Sequence, residues 1–487
     1  MFVDHLENQL SNITSTQNGA KAYGSTLNAC LDLFGKIGAC REDLNQAKQL
    51  FAKAYEENAQ LATQILFWVR DIRGGQGERK VFKELLKDLA SIDPQIVQKL
   101  IPLVPEFGRW DDLLILEDTS VWENVLELFK QQLDRDLKAK EKQISLLAKW
   151  LPSINASSKD SKRQGRKIAA SLGYSEKQYR KTLSTLRLKI KIVEQKMCAN
   201  EWGNIEYSKV PSRASFMYRN AFKSHDIQRY SEFLADVASG KKKINASTLY
   251  PYDIIHQFLY SEVEVEDQTL ELLWNNLPNY LEDQQEGFNG LVVADVSGSM
   301  YGQPMAVSIS LAMYIAERNQ SEVWKNKFLT FTDKPSLETI EGSTLQEKIN
   351  NLGNSDWGYN TNLVKVFEAI LQAAKVGKVP QDQMPQKLII VSDMEFDEAC
   401  QYNDLTNFEH ISHMFEKAGY KLPDLIFWNV NSGSSVPVTV HDSGTALLSG
   451  YSPSALKAIF SSEGITPLSV MLESVDSERY LPIKQVF

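Results

Sequence analysis

The residues best suited to chemistry in this chain carry oxygen. Asp295-Val-Ser-Gly-Ser299 gathers one carboxylate and two hydroxyls into five residues, at the end of the apolar run Asn289 to Val296 and ahead of a helical pattern that begins near Pro304. A second apolar run, Lys387 to Ser392, delivers Asp393, and Thr361 follows the loop Ser355-Asp-Trp-Gly-Tyr-Asn360. Alone, Asp-x-Ser-x-Ser also fits a polar strand-to-helix turn with a capping residue. Here both aspartates follow strand-like runs and Thr361 precedes a helix, so all five converge on the carboxyl edge of one sheet, where open parallel sheets place their ligands. Hard oxygens without His or Cys suit one divalent cation, magnesium first and calcium or manganese as alternatives, with water completing the shell. Glu395 or Asp397 could serve such an ion as general base in a metal-assisted hydrolysis, but both are expected on the solvated rim.

A second constellation is basic. Residues 151 to 250 carry 20 basic and 8 acidic groups, against 19 and 22 before them and 14 and 32 after, in a chain of net charge −9. Lys162 and Arg166 are four apart, as are Arg163 and Lys167, so the four share one helical face. After Gly173, Ser175 is the expected N-cap of a second helix bearing Lys177, Arg180, Lys181 and Arg187. Such a pair of helices offers phosphate contacts, and Tyr174 and Tyr179 could stack on unpaired bases. The alternative for any basic run is a solvated face. The loop Arg73-Gly-Gly-Gln-Gly-Glu-Arg79 lacks both the spacing of a phosphate-binding loop and a preceding strand, so no nucleotide cofactor is expected and the loop is read as a helix junction.

These groups need a frame. From about residue 25 to 285 apolar residues recur three and four apart with short breaks, which predicts helices in antiparallel pairs, an α-solenoid or bundle without a fixed repeat. Beyond residue 285, Lys327 to Thr332 and Asp424 to Val430 join the two runs above as short apolar strands. They alternate with helical patterns at Pro304 to Arg318, Leu363 to Ala374, Phe408 to Ala418 and Pro453 to Phe460. That is the grammar of a doubly wound parallel sheet, so the division expected is helical 1–285 and α/β 286–487. Four scattered cysteines, Cys30, Cys40, Cys198 and Cys400, read as free thiols. Without a leader pattern or a long apolar span, the chain is expected to be cytoplasmic and to have no membrane partner.

Five phrases of the helical half carry a resemblance: Trp68-Val-Arg-Asp-Ile-Arg-Gly-Gly-Gln-Gly-Glu-Arg79, Phe107-Gly-Arg-Trp-Asp-Asp112, Leu147-Ala-Lys-Trp-Leu-Pro152, Val210-Pro-Ser-Arg-Ala214 and Leu249-Tyr-Pro-Tyr-Asp253. They are similar to those of a largely uncharacterised family pairing a TROVE-like helical region with a C-terminal von Willebrand factor A domain, and the layout resembles the Ro autoantigen RNA-binding proteins. The resemblance implies a ring of HEAT-like repeats closed by the A domain, binding to small noncoding or misfolded RNA, and a metal-ion-dependent adhesion site at Asp295, Ser297, Ser299, Thr361 and Asp393 whose shell an acidic partner group completes. The family often has Gly immediately or one residue before the Thr; here Gly358 is followed by Tyr359 and Asn360. The expectation is therefore a non-catalytic RNA-binding protein with a metal-dependent docking domain. The alternatives are a protein-protein scaffold without RNA and a metal-dependent phosphoester hydrolase.

Overall fold

The computed structural model describes residues 11–260, 267–281, 289–331, 335–353, 361–398, 405–431, 433–461 and 464–487. The acidic segment 282–286, expected as the domain boundary, lies outside them, as do Cys400 and the loop 355–360. A small antiparallel hairpin, β1 (Ile13–Ser15) with β2 (Lys21–Tyr23), opens the described chain. Helices then run to Asn275, and each break has a local cause. Asn58 ends helix Leu44–Glu57 and, through its side chain, caps helix Ala59–Arg70. Pro94 starts a helix at its first turn, where a missing N–H costs nothing.

The C-terminal region holds a six-stranded sheet in the order β5-β4-β3-β6-β7-β8. Its strands are β3 (Gly290–Ala294), β4 (Lys327–Thr330), β5 (Leu337–Thr339), β6 (Lys387–Ser392), β7 (Asp424–Asn429) and β8 (Thr445–Ser449). All neighbours are parallel except the short edge strand β5, which runs antiparallel to β4. Every residue of β3 and β8 is buried, so both faces of the sheet are covered, as expected of βαβ winding. β5 and β8 were not expected from the sequence: Leu-Glu-Thr and Thr-Ala-Leu-Leu-Ser are too short and too plain to announce themselves.

Helix Gln303–Arg318 is buried along its whole middle, Ala306 to Ala316, and its apolar residues have no single stripe. A helix apolar all round must be covered all round. It packs on β3, β4 and β6, and on the helix Pro251–Tyr260 near the end of the helical region. At the opposite side of the sheet, helix Ala29–Ile37 lies against β8. The fit is close enough that a Cβ at Gly38 would stand 2.6 Å from the Ser449 carbonyl. Ser449 Oγ donates to the Phe34 carbonyl at 2.7 Å and accepts from Gly38 N at 3.0 Å. The helical region thus touches the sheet region at its start and at its finish.

The last part of the helical region and the C-terminal segments also meet at the loop 71–78. Tyr250 Oη donates to the Gln76 carbonyl (3.0 Å), Ser454 Oγ donates to the Gly75 carbonyl (3.0 Å), and Asp71 accepts from Arg479 and Tyr480. A Cβ at Gly75 would lie 1.8 Å from the Trp68 carbonyl, and Gly77 has φ +64° with the Tyr250 hydroxyl in the way. The glycines of this phrase therefore form a junction, as their spacing implies. Two of its arginines pair locally, Arg79 with Asp111 and Arg70 with the fully buried Asp112 at 2.7 Å, and its Glu78 takes Arg41. Asp112 also accepts from Arg79 Nε at 3.1 Å and Arg109 N at 2.9 Å. Replacing Asp112 by Ala strands the Arg70 guanidinium, which is 5% exposed, and should cost about 3–5 kcal/mol in the first urea transition. Lys80→Ala, which breaks only the exposed pair with Glu42, should shift it by no more than about 0.5 kcal/mol.

Candidate functional site: an acidic sheet edge and a basic helix pair

The parallel register pairs Ala294 with Val391, so the residues just past β3 and β6 emerge side by side. Asp295 N donates to the Val391 carbonyl at 2.9 Å, which fixes the turn. Its carboxylate, fully buried, accepts from Ser392 Oγ (2.6 Å) and from Ser297 N (2.9 Å). Ser297 and Ser299 hydroxyls lie 3.1 Å apart. Asp393, also buried, accepts from Glu395 N at 3.1 Å. Burial, and then the negative charge of Asp393, push the Asp295 carboxyl up to about 6. Among the described residues no Lys or Arg forms an ion pair with either aspartate.

Thr361 is buried and held from three sides. Its Oγ1 is 2.9 Å from Asp397 Oδ1 and 3.0 Å from the Glu395 carbonyl, two acceptors for one proton, and it accepts from Asn18 Nδ2 at 3.2 Å. Asp397 Oδ2 takes the Thr361 backbone N–H at 2.9 Å. The rim expectation is corrected for Glu395: it is 7% exposed, and its Oε2 accepts from Gln17 N at 2.6 Å. Asp397 is half-buried, with both oxygens engaged by Thr361. The departure at Gly358 falls outside the described residues.

The five residues fit a hard divalent cation on two observations. Two neighbouring buried carboxylates have no Lys or Arg partner among the described residues, and the hydroxyls beside them are small neutral oxygens that can ligate without adding charge. Among the described residues no group of three or more His, Cys, Asp or Glu side chains is placed to hold a metal. A cation here would depend on hydroxyl and water oxygens.

The basic pair forms as expected: Ser158 caps helix Lys159–Ser171, and Ser175 caps helix Glu176–Ile190 with a capping box to Gln178. The two helices pack on each other, and Arg166 bridges them to Glu176 at 3.1 Å. Lys167 pairs with Glu117 (2.7 Å), and Arg163 approaches Asp160 (3.4 Å). Lys177, Arg180 and Lys181 are exposed and Lys162 is half-buried, and none of the four forms an ion pair among the described residues. Two expectations are corrected. Arg187 is half-buried and donates to the Ala148 carbonyl (2.7 Å), the Leu151 carbonyl (2.8 Å) and Ser153 Oγ (2.5 Å). It clamps the 147–153 segment with three of its five N–H donors, which commits the side chain to holding that segment. Tyr179 is fully buried with its hydroxyl on the Pro152 carbonyl (3.1 Å), so it cannot stack on a base; Tyr174 remains half-buried.

The architecture defines a helical region joined to a mostly parallel α/β sheet with an oxygen-rich site at its carboxyl edge. Matching family models bear only the description "domain of unknown function": DUF2828 over residues 16–116 and 157–286, and DUF7788 over 289–480. The chain belongs to the same family as the uncharacterized protein L728 of Acanthamoeba polyphaga mimivirus. It is 31% identical to that protein over 507 residues, spanning 96% of this chain and 88% of the other. The crystal structure of the Deinococcus radiodurans RO (RSR) protein aligns over 90% of this chain and 92% of its own at 11% identity, with a TM-score of 0.34, a likeness too weak to carry function across.

Arg187→Ala should destabilise the protein by about 2–4 kcal/mol, because two carbonyls and a hydroxyl lose a charged donor. Lys181→Ala should change stability by less than about 0.5 kcal/mol. Denaturant melts of the two variants compare them directly.

Proposed function

We propose that this protein is a non-catalytic RNA-binding protein. In this reading a HEAT-like helical region grips RNA through the helix pair 159–190, and a von Willebrand A-type domain docks a partner through a divalent ion. The observation that carries the RNA half is the exposed trio Lys177, Arg180 and Lys181 on one helical face, with Lys162 on the adjoining helix and no carboxylate among the described residues neutralising any of them. In a chain of net charge −9, unpaired cations so placed favour a polyanion on that surface and repulsion elsewhere. The five phrases that resemble TROVE-like proteins point the same way.

The test is a mobility or filter assay with single-stranded RNA. Reversing Lys162, Lys177, Arg180 and Lys181 to Glu should weaken binding at least ~10-fold and lower the salt slope by about 0.7 for each phosphate that is no longer neutralised. Arg166 and Lys167 are poorer choices because their reversal also breaks ion pairs. Unchanged affinity and slope would remove the assignment, and capture of an acidic polypeptide with no RNA shift would favour the scaffold.

For the α/β domain, the residues that would hold the ion are Asp295, Ser297, Ser299, Thr361 and Asp393, and magnesium is the ion proposed. Bound there, it would offer a Lewis-acidic coordination position to a partner carboxylate. The uncompensated pair Asp295 and Asp393 supports this reading. Mg2+ at ten times its Kd should stabilise the wild-type protein by about 1.4 kcal/mol in a melting assay. Asp295→Ala should abolish that gain and leave RNA affinity unchanged, since Asp295 follows β3 and the basic residues belong to the helix pair 159–190. A folded Asp295→Ala protein that lost RNA binding would overturn the division of labour.

A further inference from the structure

The metal edge has a neighbour that neither the motif nor the proposed function includes: the start of the described chain. Residues Thr16 to Gly19 lie along the segment that follows β6. Thr16 Oγ1 donates to the Phe396 carbonyl (2.7 Å), Gln17 N to Glu395 Oε2 (2.6 Å), and Glu398 N to the Asn18 carbonyl (3.1 Å), while Gly19 bridges Asp397. At the centre, Asn18 Nδ2 donates to the Thr361 hydroxyl at 3.2 Å and to the Glu395 carbonyl at 2.7 Å. Both amide protons are used, one on a ligand residue and one on the backbone that carries Asp393.

A threonine hydroxyl has one proton and two lone pairs. Asp397 and the Glu395 carbonyl compete for the proton, and Asn18 takes one lone pair. The remaining lone pair is the one available to a cation. We infer that Asn18 is a positioning residue for the divalent-ion site, orienting the Thr361 hydroxyl from a segment more than three hundred residues away in sequence. This rests on the metal reading above. Residues that orient metal ligands through a hydrogen bond commonly govern affinity about 10- to 100-fold.

Titration calorimetry of the full chain with MgCl2, alongside melting of the metal-free protein, tests the inference with four proteins: wild type, Asn18→Ala, Gln17→Ala and Asp295→Ala. Asn18→Ala should bind Mg2+ at least ~10-fold more weakly while its metal-free melting temperature stays that of wild type, because Asn18 is exposed and its removal opens no cavity. Gln17→Ala should match wild type in both measurements, since its backbone N–H makes the contact to Glu395. Wild-type affinity in Asn18→Ala would overturn the inference and leave the metal reading standing. So would a fall in metal-free melting temperature with affinity unchanged, which would make Asn18 a structural brace only. If wild type and Asp295→Ala both fail to bind the ion, the metal reading falls and this inference with it.

Discussion

Long-range organisation in this protein depends on one short loop whose carbonyls are shared between distant segments. Gly75 and Gln76 accept from Ser454 and Tyr250, and Asp71, one turn earlier, takes Arg479 and Tyr480. Three distant parts of the chain, around Tyr250, Ser454 and Arg479, are therefore fixed relative to one another by residues 71–78. Such convergence requires backbone without side chains in the way, which is why Gly75 faces the Trp68 carbonyl and Gly77 the Tyr250 hydroxyl. The buried Arg70–Asp112 pair stands immediately behind the loop. Its charges are tolerable only because Arg79 and the Arg109 backbone satisfy the remaining carboxylate lone pairs.

Much of this was legible in the sequence, and the omissions have physical reasons. The helix-to-sheet change, the parallel core strands and the Ser175 cap follow from periodicity and capping chemistry, which are local. The edge strand β5 and the last strand β8 carry too few residues to declare a period; neighbours define them. Arg187 is the instructive error. It lies seven residues from Arg180 and so on the same helical stripe, but the 147–153 segment covers only the far end of that stripe. Tyr179 departs from expectation for the complementary reason: its one-residue offset from Arg180 turns it inward. No spacing rule could join Asn18 to Thr361.

The two candidate surfaces differ in how their charge is handled. At the sheet edge, burial concentrates the negative charge of Asp295 and Asp393, which no Lys or Arg among the described residues pairs. On the helix pair, positive charge is left in water with only part of it paired. Arg166 and Lys167 lock the helices to each other and to Glu117, while Lys177, Arg180 and Lys181 stay available. The same residue types thus divide between holding a surface together and presenting it.

The packing of helix Ala29–Ile37 on β8 and of residues 16–19 on 395–398 has a consequence for synthesis. A chain emerging from the ribosome at about 5–20 residues per second would make helix Ala29–Ile37 roughly 20 to 80 s before strand β8, which covers one side of it, exists. The helices Leu44–Glu57 and Ala59–Arg70, which follow directly, cover another part of its buried face much sooner, with Phe34 against Trp68. A product terminated before residue 445 would keep that helical packing and bare the side where Gly35 and Gly38 meet Leu447 and Ser449.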